Sequence, residues 1–224
     1  MNGAIAQTGI NLRAADRWFY PAMALIFTAT AVIGFAPNSL AIIAGTRATP
    51  PLLVHVHAAA MTTWLVLLVT QSSLIAVRKP HLHRIVGPAS FVLAPIMVVI
   101  MIALVITTFN SEFHAAAIGL IQVRRIVLFS LFYLWAMASR KSEPQTHKRM
   151  LFLATLVLLD AAILRMPWLP DFGIDNVAIT HAYQLLLLIP FLVHDVVRFG
   201  RIHKANLVGL ALILASTVAA SVLW

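Results

Sequence analysis

Seven apolar runs set the terms for this chain: Trp18–Ala36, Leu52–Val77, Ile85–Phe109, Ala116–Ser139, Met150–Leu164, Val177–Val197 and Ala205–Trp224. A helix needs about 20 apolar residues to cross a bilayer, and most of these runs come close to or exceed that. Helices and closed barrels are the only backbones that satisfy their own hydrogen bonds in lipid. Barrel strands alternate apolar and polar residues, whereas these runs are unbroken, so the chain is expected to be all-α. Composition agrees. Of 224 residues, 61% are hydrophobic and 10% charged, too much apolar surface for a soluble domain to hide. The expected architecture is one polytopic bundle over residues 1–224, with a leading helix and three hairpins at 52–109, 116–164 and 177–224.

Charge gives a direction. The net charge is +9, which in a soluble protein would suggest nucleic acid. Here the cations are concentrated in alternate loops, as expected of cytoplasmic segments, and no nucleic-acid partner is expected. Twelve of the 16 Lys and Arg residues fall in one set of segments: Arg13, Arg17, Arg78, Lys79, Arg84, Arg140, Lys141, Lys148, Arg149, Arg198, Arg201 and Lys204. Arg47, Arg124, Arg125 and Arg165 fall in the other. The N-terminus is therefore expected inside and the C-terminus outside, in a bacterial inner membrane. The first run is longer than a signal-peptide core and is read as a retained span. Pro88, Pro95 and Pro190 lie inside runs and predict kinks.

The chain has no cysteine, so disulfides and thiolate chemistry are absent. Nine histidines remain, and their placement carries the functional reading. Ionisable groups in hydrocarbon are costly and usually face the bundle interior. Residues seven and fourteen apart share one helix face, with about 20° of drift per heptad. His57, Trp64 and Gln71 form one such stripe. His181, Leu188 and Asp195 form another, with Gln184 one turn from His181. Two polar zones follow. The outer one holds His57, Arg124, Arg125, Asp160, Arg165, His181 and Gln184. The inner one holds Gln71, His83, His147, His194 and Asp195. His57 and His181 are expected at similar depth, facing one outer cavity. Helix depth also brings Arg125 within about one turn of Asp160, so the two are expected to pair. His55, His81, His114 and His203 sit near helix ends and read as interface residues.

The runs His55-Val56-His57-Ala58-Ala59-Ala60-Met61-Thr62-Thr63-Trp64, His83-Arg84-Ile85-Val86-Gly87 and His147-Lys148-Arg149 through Ala154-Thr155 resemble an uncharacterised family of bacterial multi-pass membrane proteins. That likeness implies fold and membrane location. A weaker likeness, carried by His83, Arg84 and Gly87, is to b-type membrane cytochromes and haem A synthases. It implies haem b, with quinone or membrane redox subunits as partners.

Four functions stay open. Bis-imidazole haem ligation needs two histidines from different helices at one depth. His57 and His181 meet that, with Arg125 or Arg165 for propionates and with Gln184 and Asp160 lining the site. A three-histidine Zn or Fe site would use His83, His147 and His194, with Asp195 as base. A transporter or proton pathway would use both zones. A passive membrane subunit would use them only to join helices.

Overall fold

The computed structural model describes residues 8–109, 115–174 and 176–222. Ten helices are found among them: α1 (Thr8–Ile43), α2 (Leu52–Ala76), α3 (Pro80–Val86), α4 (Ala89–Phe109), α5 (Ala115–Ser139), α6 (Pro144–Leu156), α7 (Asp160–Ile163), α8 (Asn176–Leu186), α9 (Ile189–Phe199) and α10 (Lys204–Val222). Five segments are long and apolar enough to cross a membrane: Asp16–Ile43, Leu52–Ala76, Ala89–Thr107, Ile121–Ser139 and Ala178–Phe199. Lys204–Ala219 is a shorter apolar helix. The chain is thus an all-helical membrane protein. His114 and the expected end of the last span at Trp224 lie outside the described residues.

The expected spans change in three places. The run from Ile85 is not one helix: α3 stops at Val86 and α4 starts at Ala89. Pro88 lacks an N–H and clashes with the turn before it, so the helix restarts after Gly87-Pro88. Pro190 likewise does more than kink its run. The chain tightens just before it, with Leu187 N bonding Gln184 O at 3.1 Å and Leu188 N bonding Leu185 O at 2.9 Å. α9 then opens with Pro190 in its first turn, where a proline is tolerated. Pro95 by contrast sits within a continuous α4.

The third change has no proline behind it. The run Met150–Leu164 divides into α6 and α7, joined by short-range turns from Leu158 N to Thr155 O and from Leu159 N to Leu156 O, at 3.1 and 3.0 Å. Two tertiary contacts meet at this break. The Gln184 amide donates to the Leu156 carbonyl at 2.8 Å, satisfying a group at the end of α6. Gly34 of α1 lies so close to α7 that a Cβ there would stand 2.3 Å from the Ala162 carbonyl oxygen. Only a glycine fits that approach.

In sequence order the helices pack as a row, α1 on α2, α2 on α4, α4 on α5 and α5 on α6. α1 also covers α7, and α10 packs on α6 and α5 and touches α8. Phe27, Phe129, Phe132, Met97 and Met150 are fully buried. Trp64 is buried with them, and its indole N–H donates to Thr155 Oγ1 at 3.0 Å. Val32, Val92, Val99, Leu134 and Val197 are among the apolar side chains on the outside, where a bilayer would cover them.

Candidate functional site

Two buried polar clusters lie in the bundle. The first is centred on Asp160, the residue that opens α7. Its carboxylate accepts from Arg125 Nε at 2.6 Å and from Arg124 Nη1 at 3.5 Å, both on α5. The pairing of Arg125 with Asp160 follows the depth argument. Arg124 reaches further. Its Nε donates to Ser216 Oγ at 2.9 Å, its Nη2 to Thr217 Oγ1 at 3.2 Å, and its Nη1 also to His181 Nε2 at 2.9 Å. Arg125 Nη1 donates to Gln122 Oε1 at 2.9 Å. One guanidinium thus ties α5 to α7, α8 and α10.

The protonation of His181 follows from that contact. A guanidinium keeps its protons and can only donate. His181 Nε2 is therefore an acceptor, and the ring is neutral with its proton on Nδ1. Asp160 Oδ2 lies 3.8 Å from the same nitrogen, beyond hydrogen-bond range. Asp160, His181 and Gln184 are at most 2% exposed, and Arg124 and Arg125 at most 9%.

Of the residues expected here, Asp160, Arg125 and His181 come together, while Gln184, one turn from His181, bonds the Leu156 carbonyl. His57 and Arg165 stand at the edge. His57 lies within electrostatic reach of Arg125 and Arg165, and its buried Nδ1 has no partner among the described residues. Arg165 is exposed. It donates to the Ala161 carbonyl at 2.6 Å and lies 4.9 Å over the Phe35 ring. The helices that carry His57 and His181 are not among the pairs that pack extensively. α2 packs on α1, α3 and α4, while α8 packs on α7, α9 and α10. In this arrangement His181 Nε2 is engaged by Arg124.

The second cluster is centred on Asp195 of α9. Arg149 of α6 pairs with it in a forked contact, Nε at 3.1 Å from Oδ1 and Nη2 also on Oδ1. Oδ2 accepts from Asn206 Nδ2 at 2.8 Å and from the His203 backbone N–H at 3.0 Å. Arg149 Nη1 donates to the carbonyl and side-chain oxygens of Gln145 at 2.9 and 2.8 Å. Arg149 and Asp195 are both fully buried. This balanced ion pair locks α6, α9 and α10 together.

The residues expected to hold a metal are not gathered. Among the described residues no three His, Cys, Asp or Glu side chains are placed to hold a metal ion. Asp195 is saturated by Arg149, Asn206 and His203. His194 Nε2 meets Asp16 Oδ1 of α1 at 2.9 Å, and its ring stacks on Phe19 at 4.0 Å. His147 Nδ1 donates to the Ala136 carbonyl at 2.8 Å. The Gln71 amide satisfies its neighbours only with nitrogen toward His83. It then donates to His83 Nδ1 at 2.6 Å, while its oxygen accepts from Gly87 N at 3.2 Å. Each histidine is committed to its own helix pair.

Beside this cluster, in the loops, the Thr146 hydroxyl and the Lys204 ammonium hold the Glu143 carboxyl below the usual range. Burial pushes His203 down.

Sequence reasoning assigned no role to Arg149 beyond a loop cation, because it ends the basic run after His147. It placed Arg124 in the outer zone without a partner. Ser216, Thr217, Asn206 and Asp16 also escaped it. A signal existed: polar residues in the last apolar run need donors on another helix. Comparison of the chain with family models, curated proteins and solved structures gives no match, so the reading rests on the geometry.

Proposed function

We propose that the chain is a seven-span inner-membrane protein, N-terminus inside and C-terminus outside, that binds an anionic group at the Asp160 cluster in its outer half. The observation that carries this is charge. Two guanidiniums, Arg124 and Arg125, share one carboxylate, and the histidine beside them is neutral. Counted over the described residues, the cluster therefore holds one net positive charge away from water. An uncompensated buried ion costs several kcal/mol, and a carboxylate or phosphate from a ligand removes that cost. Among the described residues Arg125 has one terminal nitrogen without a partner, and His57, within electrostatic reach of Arg125, has a buried Nδ1 without one. The Asp195 cluster, with one Arg to one Asp, is balanced and acts as a tie.

Discontinuous helices support the same reading. α6/α7 interrupts its ladder just before Asp160, α8/α9 breaks after Leu186, and α7 packs on α8. Broken spans that line a polar site are the usual membrane architecture for substrate recognition.

The orientation rests on the loop cations, and taking the buried Arg124, Arg125 and Arg149 out of the count sharpens the asymmetry. A C-terminal reporter is expected to be active outside the cytoplasm, and activity inside reverses the assignment. The binding claim is tested by whether protein purified in neutral detergent retains an anion that Arg125→Gln releases.

A further inference from the structure

The surplus charge continues to the surface. Arg165, one turn past Asp160, is exposed and lies within electrostatic reach of Arg125 and Arg47. Arg47 is exposed as well and donates to Asn38 Oδ1 at 2.6 Å near the end of α1. A track of cations thus leads from the buried Arg125 to the place where α1 meets α7.

The surroundings of that track are apolar. The Arg165 guanidinium rests on Phe35, itself 40% exposed, and Val32 three residues before it is 60% exposed. Residues three apart share a helix face, so an open apolar strip runs down α1 directly below the cation. The segment after Arg165 presents Trp168 and Phe172 outward, at 54% and 74% exposure. Tyr183 of α8 pins that segment through a bond from its hydroxyl to the Pro170 carbonyl at 2.8 Å. Exposed aromatic side chains beside a basic group mark a lipid–water interface.

We propose that the anion is carried by an amphiphile of the adjoining leaflet: an anionic phospholipid whose phosphate sits at Arg165 and Arg47, next to Arg125, with an acyl chain along the Val32–Phe35 strip of α1. This rests on the anion reading of the Asp160 cluster. Charge complementarity selects the headgroup, since among the described residues no carboxylate lies in ion-pair contact with Arg165 or Arg47, and the nearby Asp160 is already paired with Arg124 and Arg125. The apolar strip selects a lipid over a free anion, because a soluble phosphate gains nothing from it.

The test compares the thermal unfolding midpoint in phosphatidylcholine nanodiscs with and without phosphatidylglycerol, and with soluble glycerophosphate. A ligand that binds only the folded state raises the midpoint. Phosphatidylglycerol should raise it by several degrees and glycerophosphate should not. Arg165→Gln should remove most of the rise, Arg165→Lys should keep part of it, and Arg201→Gln, at the far end of the chain's basic loops, should keep all of it. A rise with glycerophosphate equal to that with lipid overturns the lipid assignment and leaves the anion reading standing. A lipid effect that survives Arg165→Gln overturns the site. No rise with any anion overturns both.

Discussion

Asp195→Ala is expected to cost the protein about 3–5 kcal/mol, the range for removing one member of a buried ion pair. The carboxylate accepts from Arg149, Asn206 and the His203 backbone at once. Its loss leaves a fully buried guanidinium without a counter-charge and two further donors without an acceptor. The side chains beside Arg149 are mostly apolar, Phe152, Leu153, Leu156, Leu188 and Phe191, and offer the guanidinium no replacement acceptor. Most of the penalty belongs to the orphaned charge and not to the lost bond. Removing both partners should therefore hurt less than removing one. The double change Arg149→Met/Asp195→Leu is expected to recover much of the loss. Unfolding midpoints in detergent give both numbers, and a double variant as unstable as Asp195→Ala would count against the charge argument.

Asp160→Asn is expected to be nearly as damaging, also about 3–5 kcal/mol. It leaves Arg124 and Arg125 facing each other with no carboxylate between them. Arg124 keeps Ser216, Thr217 and His181 as neutral acceptors, while Arg125 keeps Gln122 alone. Arg125→Gln/Asp160→Asn returns the cluster to one positive charge and should recover part of the loss, a coupling that a double-mutant cycle measures directly. Strict additivity of the two single changes would mean that Arg125 and Asp160 do not act as a pair.

The contrast between the clusters explains what the sequence could and could not reveal. The apolar runs alone gave an all-helical membrane chain, since nothing else hides such composition. Depth along helices α5 and α7 was enough to pair Arg125 with Asp160, because Asp160 is the only acid inside the fourth and fifth apolar runs. Depth was not enough for His57 and His181. Similar depth says nothing about which helices are neighbours, and α2 and α8 are not among the pairs that pack extensively. Arg149 was misread for a local reason: in sequence it completes a basic loop, yet α6 begins at Pro144 and carries it inside. The division of α6 from α7 had no local mark at all, with neither Pro nor Gly between Thr155 and Asp160. The contacts that meet it come from Gln184 and Gly34, which are distant in the chain. Pro88 and Pro190 did announce their breaks.

The central claim is that the Asp160 cluster carries one positive charge more than its own residues balance, and that a bound anion supplies the difference. Intact-mass spectrometry of the protein released from membranes in neutral detergent tests this most directly. The wild type is expected to carry a bound anionic molecule that Arg125→Gln lacks, while Arg201→Gln retains it. A wild type free of any anionic adduct, or the same adduct at the same occupancy on Arg125→Gln, would contradict the account.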